Sequence, residues 1–210
     1  MNSPGAMAGQ VSRETFERLK VYEETLRRWR AVKNLVSPST LATIWTRHFE
    51  DSLQLVRLAR GAHTWLDIGS GAGFPGLVIA IAIADTKGSC VHLVESDNRK
   101  CAFLREVARL TQVNAVVHHA RAEAVVGEIA GIEAVTARAV GRLQYLVDLA
   151  APLIANGAVG LFPKGRDFRS ELTGLRLPFN LKVDTAPSLT ENGAAVVIVS
   201  GENAQIPAEP

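Results

Sequence analysis

The sequence predicts an α/β fold in which a doubly wound, mainly parallel sheet follows an N-terminal helical extension. Three observations support this prediction. Short apolar segments alternate with helical segments from residue 64 onward. A glycine-rich loop directly follows the first of these strands. Residues 12–59 instead repeat apolar side chains at three- and four-residue steps, which is typical of amphipathic helices.

The composition fits one α/β domain with a modest extension. The chain has 210 residues, 47% of them hydrophobic, and a net charge of +2. Its two cysteines, Cys90 and Cys101, have no CxxC partner, so we predict neither a disulfide nor a metal site. Residues 1–10 lack the features of a signal peptide, and the longest apolar run, 77–84, is too short to span a bilayer. We therefore expect a cytoplasmic protein without membrane contact.

Residues 12–59 are predicted to form two helices. The first begins near Ser12, which can cap it, and a segment with Pro38 separates it from the second at 41–59. We predict four regions, namely a flexible N-terminus (1–10), the helical extension (11–60), the ligand-binding domain (61–201) and a flexible tail (202–210).

The remaining elements follow in alternation. Strands are predicted at 65–68, 91–94, 115–118, 134–136 and 158–162. Helices are predicted at 76–84, 99–110 and 143–153. Residues 180–183 and 194–199 could form a terminal antiparallel pair, with turn chemistry at 191–193.

The glycine loop at 69–76 lies where a parallel sheet binds its ligand. Residues 71–76 fit the GxGxxG pattern of dinucleotide-binding loops, so an NAD(P)-dependent oxidoreductase is one alternative. However, Asp67 at the strand end would repel a pyrophosphate. Asp67 followed by Gly69, Gly71 and Gly73 suits S-adenosylmethionine better, since that ligand carries a sulfonium and an amino-acid end.

Two acidic residues leave the choice of ligand open. Glu95 ends the second strand and could bind ribose hydroxyls, which both ligands contain. Asp67 and Glu95 could instead be helix caps or surface carboxylates. Glu123, after the third strand, could lie near an adenine or could equally have no ligand role.

Several sequence blocks together resemble the RsmG (GidB) family of bacterial 16S rRNA guanine-N7 methyltransferases. The resemblance extends from about Trp29 to Gly165, and Arg30 is a small departure from it. The blocks that carry it are Trp29 with Asn34-Leu35, residues 47–52, residues 67–76, Glu95-Ser96, Arg99-Lys100, residues 103–105, Arg138-Ala139 and Lys164-Gly165.

The resemblance implies a Rossmann-like class I methyltransferase fold with a seven-stranded sheet and S-adenosylmethionine as cofactor. It implies cofactor contacts at Gly69, Phe74, Ala122, Glu123 and Arg138. The implied reaction is methyl transfer to N7 of a guanine in 16S rRNA. N7 has a free lone pair, so our hypothesis is a direct in-line displacement that depends on alignment and needs neither a general base nor a metal.

Candidate catalytic residues are His48, Asp51, Arg138 and Lys164. Asp51 could stabilise positive charge on the guanine or orient His48, although the pair could also be a structural contact within a helix. His92 and His118 show no partner pattern and are expected to be structural or exposed.

Binding of RNA requires basic side chains for its phosphates. The candidates are Arg27, Arg28, Arg30, Lys33, Arg47, Arg142, Lys164 and Arg166. The first four lie where acidic neighbours are absent. We expect a monomer whose partner is 16S rRNA, either free or within a small ribosomal subunit or its precursor. A non-catalytic RNA-binding protein of the same fold is the second alternative.

Overall fold

The computed structural model describes residues 9–33, 41–178 and 180–201, with residues 30–33 described by their backbone alone. The predicted flexible tail, most of the predicted flexible N-terminus and the predicted break at 34–40 lie outside the described residues. The side chains of Arg30 and Lys33, two candidates for RNA contact, also lie outside them.

Seven strands form one sheet with the order β3-β2-β1-β4-β5-β7-β6. Strands β1 to β5 run parallel, and β7 pairs antiparallel with both β5 and β6. The order reverses between β1 and β4, so the ligand crevice is expected beyond the carboxyl ends of these two strands. The seven-stranded, mainly parallel sheet confirms the predicted fold. The strands are β1 (Thr64–Ile68), β2 (Cys90–Glu95), β3 (Ala115–His119), β4 (Ala134–Ala137), β5 (Val159–Lys164), β6 (Leu181–Pro187) and β7 (Ala195–Gly201).

Helices cover both faces of the sheet. Ser12 caps the first helix, since its hydroxyl oxygen accepts the N–H of Thr15 at 3.1 Å. Asp97 caps the fourth by accepting the N–H groups of Arg99 and Lys100. The α-helices are α1 (Arg13–Lys33), α2 (Glu50–Leu58), α3 (Gly76–Ala82), α4 (Asn98–Thr111), α5 (Leu143–Ala155) and α6 (Phe168–Thr173), with a π-helix at Ile44–Phe49 and a 3₁₀ turn at Ala122–Ala124.

The N-terminal extension shares its core with the sheet domain. Leu19, Tyr22 and Leu26 of α1 are fully buried in the cluster that also contains Phe103 of α4. The Tyr22 hydroxyl donates a 2.5 Å hydrogen bond to the carbonyl of Ala72 in the glycine loop. The extension therefore supports the loop directly, and the predicted domain boundary at residue 60 stays a prediction.

Three local predictions differ from the structure. The second helix of the extension begins as a π-helix, which often occurs near functional sites. The short helix α6 was not predicted. Asn180 was predicted to start a strand but has a φ of +74°, so it belongs to a turn and β6 begins at Leu181. Among the described residues, no helix combines the length and apolar character needed to cross a membrane.

Candidate active site

The glycine loop between β1 and α3 turns tightly against the segment that follows β4. Gly69 has a φ of +67°, and a Cβ added there would lie 2.5 Å from Cγ2 of Val140. Glycine alone satisfies both conditions. Gly73 has a φ of +96°, and its added Cβ would lie 2.5 Å from Cδ1 of Leu77 and 2.7 Å from the Tyr22 hydroxyl. The Cβ position of Gly73 thus faces the interior, and its predicted cofactor contact stays a prediction.

Asp67 lies beneath the loop with no exposed surface. Its carboxylate accepts the hydroxyl of Thr136 at 2.9 Å and the N–H of Gly76 at 3.2 Å. Burial raises the pKa of Asp67 to about 6, although the hydrogen bonds from Ser70, Thr136 and Gly76 act in the opposite direction. The prediction that Asp67 contacts the ligand is therefore wrong, since a fully buried side chain holds the loop and the start of α3 instead.

Glu95 organises the same loop from the end of β2. One carboxylate oxygen accepts the N–H of Gly71 at 2.9 Å, and the other accepts the N–H of Asp97 at 2.8 Å. The N–H of Gly73 bonds to the carbonyl of Ser70 at 2.7 Å. A dinucleotide loop presents such N–H groups to a pyrophosphate, whereas here protein acceptors already take them. This arrangement does not favour the oxidoreductase alternative.

A smaller cavity of about 130 Å³ opens beyond β1 and β2. It brings together Gly69, Glu95, Ala122 and Glu123 from the predicted cofactor residues, while Gly71, Phe74 and Arg138 are not part of its lining. Its walls combine apolar and acidic groups. The complete lining is Ile68, Gly69, Val94, Glu95, Ser96, Ala120, Arg121, Ala122, Glu123, Val140 and Tyr145.

Tyr145, on α5, completes this cavity and was not predicted from the sequence. Its hydroxyl donates a 2.6 Å hydrogen bond to the carboxylate of Glu123, and this bond lowers the pKa of Glu123. The ring is 39% exposed, which is unusual for a large apolar side chain in this protein. Nothing in the sequence distinguishes an aromatic residue in the first turn of this helix from an ordinary core residue.

A larger cavity of about 250 Å³ lies beside the smaller one. Ala139 and Gly141 line the larger cavity, whereas Val140 between them lines the smaller one. The segment after β4 is therefore a shared wall, and Ala139 holds a φ of +57° within it. The polar lining of the larger cavity consists of Arg47, Asp51, Gln54, Arg138, Lys164, Ser188 and Glu191.

His48 and Arg138 meet at the edge of this site. Nη2 of Arg138 lies 2.6 Å from Nδ1 of His48. Burial, together with the charges of Arg138 and Arg47, lowers the pKa of His48 to about 4. The imidazole is therefore neutral near pH 7 and accepts the guanidinium N–H. The ring of Phe74 lies 4.9 Å from the His48 ring, so Phe74 supports this pair.

Asp51 does not orient His48, which corrects that hypothesis. Its carboxylate accepts the Thr190 hydroxyl at 2.5 Å and the Ser188 hydroxyl at 3.1 Å. Gln54 makes a second connection between the same elements, because its amide donates to the carbonyl of Pro187 at 2.6 Å. Helix α2 is thus fastened to the loop between β6 and β7, a part of the site that the sequence did not predict.

The predicted RNA-binding residues fall into two groups. Lys164 is mostly buried, and its Nζ donates to the carbonyl of Gly141 at 2.9 Å and to Glu171 at 3.0 Å. Arg47 and Glu191 line the larger cavity, and Glu191 pairs with both Arg47 and Arg166, although Arg166 is not itself part of that lining.

The other basic candidates lie on α1 and at the start of α5. Arg27 pairs with Glu23 at 2.6 Å, so the expectation that this segment lacks acidic neighbours is wrong for Arg27. Arg28 donates to the Thr25 hydroxyl at 3.2 Å, and Arg142 is exposed directly before α5.

Two histidines away from both cavities form a pair that the sequence did not predict. Nδ1 of His92 lies 2.9 Å from Nε2 of His118, and the rings stack with centroids 5.2 Å apart. Burial lowers the pKa of both side chains. Within the described residues, no cluster of three or more His, Cys, Asp or Glu side chains could hold a metal ion.

Solved structures of low sequence identity share the fold. The 16S rRNA methylase RmtB superposes with a TM-score of 0.54 at 16% identity, covering 91% of this chain and 76% of that chain. TrmN from Thermus thermophilus superposes with a TM-score of 0.52 at 17% identity, covering 74% of this chain and 53% of that chain.

Sequence relatives are much closer. The family model for GidB, described as rRNA small subunit methyltransferase G, matches residues 15–192. Ribosomal RNA small subunit methyltransferase G from Methylobacterium nodulans is 50% identical over 201 residues, which is 95% of each chain. The protein of that name from Brucella ovis is 45% identical over 190 residues, covering 90% of this chain and 89% of the relative. The match over most of the chain, together with the fold, shows that the protein belongs to the rRNA small subunit methyltransferase G family.

Proposed function

We propose that this protein transfers a methyl group from S-adenosylmethionine to N7 of a guanine in 16S rRNA. Its family relatives are named as methyltransferases of the small-subunit rRNA. The observation that carries the proposal is the pair of cavities with a common wall. The smaller lining is partly apolar and has two carboxylates, Glu95 and Glu123, against one cation, Arg121, whereas the larger lining has three cationic side chains against two carboxylates. This arrangement suits a cationic methyl donor on one side and a polyanionic acceptor on the other.

The residues of the smaller cavity fit S-adenosylmethionine, which supplies a methyl group on a positively charged sulfur. Ile68, Val94 and Val140 provide the apolar walls that an adenine needs. Each oxygen of Glu95 accepts a single loop N–H and keeps a lone pair for a ribose hydroxyl. Glu123, which accepts the Tyr145 hydroxyl, adds a second acceptor to the same lining.

The residues around the larger cavity suit a reaction without proton abstraction. N7 of guanine attacks with a lone pair and loses no proton, so alignment contributes most to the rate. His48 is not poised as a general base, since its Nδ1 lone pair accepts the Arg138 N–H and its pKa is about 4. We propose that His48, Asp51, Arg138 and Lys164 position the substrate and limit the entry of water.

The acceptor side of the site suits RNA. Arg47, Arg138 and Lys164 place three cationic side chains in the lining of one cavity. We propose that the protein acts in the cytoplasm as a monomer, on 16S rRNA that is free or assembled into a small subunit or its precursor. A non-catalytic RNA-binding protein is not favoured, because the lining of the smaller cavity has the acidic and apolar groups that a methyl donor needs.

The decisive experiment measures methyl transfer and then maps the product. Purified protein, radiolabelled S-adenosylmethionine and 16S rRNA from a strain lacking the gene are incubated, with naked rRNA and small subunits in parallel. We expect label in 16S rRNA and N7-methylguanine in the nuclease digest. Label at another atom would overturn the proposed position, and binding of both ligands without label would overturn the proposed reaction. Calorimetry with S-adenosylmethionine and NAD(P) tests the cofactor separately.

A further inference from the structure

A single carboxylate in the lining of the larger cavity, Glu191, pairs with two arginines. Its Oε2 lies 2.7 Å from Nη2 of Arg47, and its Oε1 lies 3.6 Å from Nε of Arg166. The two arginines come from separate elements, since Arg47 lies in the π-helix and Arg166 follows β5. Glu191 itself lies in the loop between β6 and β7. Two guanidinium groups thus face the two oxygens of one anion.

The loop that carries Glu191 is held firmly in place. The Ser188 hydroxyl oxygen accepts the N–H groups of Thr190 and Glu191 at 3.2 and 3.0 Å. Asp51 accepts the hydroxyls of Ser188 and Thr190 in turn. These bonds fix the main chain of the loop at Glu191, whereas the side chains of Arg47 and Arg166 remain 54% and 72% exposed.

This geometry matches that of a bound phosphodiester. A phosphodiester also carries one negative charge shared by two terminal oxygens, and arginine pairs well with such a group. We propose that Arg47 and Arg166 form a binding site for an RNA phosphate at the larger cavity, and that Glu191 occupies this site internally until the RNA backbone displaces it. The inference rests on the proposed function, because it takes RNA as the partner.

The internal anion has a specific consequence for binding. Every RNA that uses this site must first break two ion pairs, so its affinity is lowered by the free energy of those pairs. Exposed ion pairs are individually weak. We therefore expect Glu191→Gln, which keeps the shape and the main-chain hydrogen bonds, to bind RNA about two- to tenfold more tightly.

The test compares Glu191→Gln with the wild type in binding to deproteinised 16S rRNA, measured by filter binding at several salt concentrations. The control is Glu128→Gln, which removes the same charge from an exposed residue outside both cavities. We expect tighter binding for Glu191→Gln and a much smaller change for Glu128→Gln. Equal gains in both variants would overturn the proposal, since they would reflect net charge alone, and so would unchanged or weaker binding by Glu191→Gln.

A double-mutant cycle locates the effect at the two arginines. In an Arg47→Gln, Arg166→Gln background, we expect Glu191→Gln to give no further gain in affinity. A full gain there would overturn the proposal. Arg166→Gln alone, at a side chain that is 72% exposed, serves as background if the double variant does not fold. There we expect Glu191→Gln to give a smaller gain than in the wild type, because the Arg47 pair alone remains, and an undiminished gain would overturn the proposal. These affinities are measured without S-adenosylmethionine, so failure of the proposed methyl transfer would appear only in the incorporation assay.

Discussion

Replacement of Asp67 by asparagine tests the cost of a buried charge beneath the glycine loop. Asp67 has no exposed surface, and burial raises its pKa from 3.8 to about 6. The unfolded chain thus releases this proton near pH 3.8 and the folded protein near pH 6. Between these values the folded state binds more protons, so its stability falls as the pH rises.

The magnitude follows from the pKa difference of about two units. At about 1.36 kcal/mol for each unit, ionisation of Asp67 lowers the free energy of unfolding by about 3 kcal/mol above pH 6. Asparagine avoids this cost, because its amide oxygen can accept the N–H of Gly76 and its amino group can donate to the Thr136 hydroxyl. We expect the stability of Asp67→Asn relative to the wild type to increase by about 3 kcal/mol between about pH 3 and pH 7.

Urea unfolding followed by tryptophan fluorescence measures this difference at several pH values. Asp97→Asn is the matched control, since the N–H of Lys100 lowers the pKa of this exposed helix-capping carboxyl. The wild type loses the contribution of Asp97 as the pH falls, so the control difference should change with the opposite sign near pH 4. A pH-independent difference for Asp67→Asn would refute the reasoning.

Three further predictions concern the two cavities. Gly69→Ala adds a Cβ 2.5 Å from a methyl group of Val140 at a φ of +67°, so calorimetry should show the affinity for S-adenosylmethionine reduced on the order of tenfold or more. Unchanged affinity would contradict the close contact between Gly69 and Val140. Tyr145→Phe removes a 2.6 Å hydrogen bond to Glu123 at the smaller cavity, so the same titration should show S-adenosylmethionine binding about two- to tenfold more weakly, with little change in Tm. A loss of folding would instead show that the hydroxyl stabilises the core. His48→Asn keeps an acceptor for Arg138 and should retain the methyl transfer activity that His48→Phe loses. The pH profile of kcat for the wild type should show no step near pH 6.5, because the pKa of His48 is about 4.

The sequence predicted the parts of the structure that local patterns determine. Alternating strands and helices gave the sheet, and glycine spacing located the loop that follows β1. The same pattern could not show which way Asp67 points. A residue at a strand end can face a ligand or the interior, and the hydroxyl of Thr136, from β4, decides this in the fold.

Contacts between distant segments were beyond prediction for a different reason. Asp51 meets Thr190, and Tyr22 meets the carbonyl of Ala72, only because helix packing brings these segments together. The two residues of each pair are far apart in the chain, and no sequence pattern indicates that they are in contact. The sequence blocks that suggested the family end at Gly165, before the β6–β7 loop, so they assigned no function to Ser188 or Glu191.

The segment from Arg138 to Gly141 has a consequence for ligand binding in the two cavities. Val140 faces one cavity while its neighbours face the other, and Ala139 adopts a backbone conformation that is unfavourable for a residue with a side chain. Because one segment lines both cavities, a displacement of its backbone would change the shape of both. If the donor and the acceptor occupy the two cavities as proposed, we expect each to alter the affinity for the other, and by the same factor.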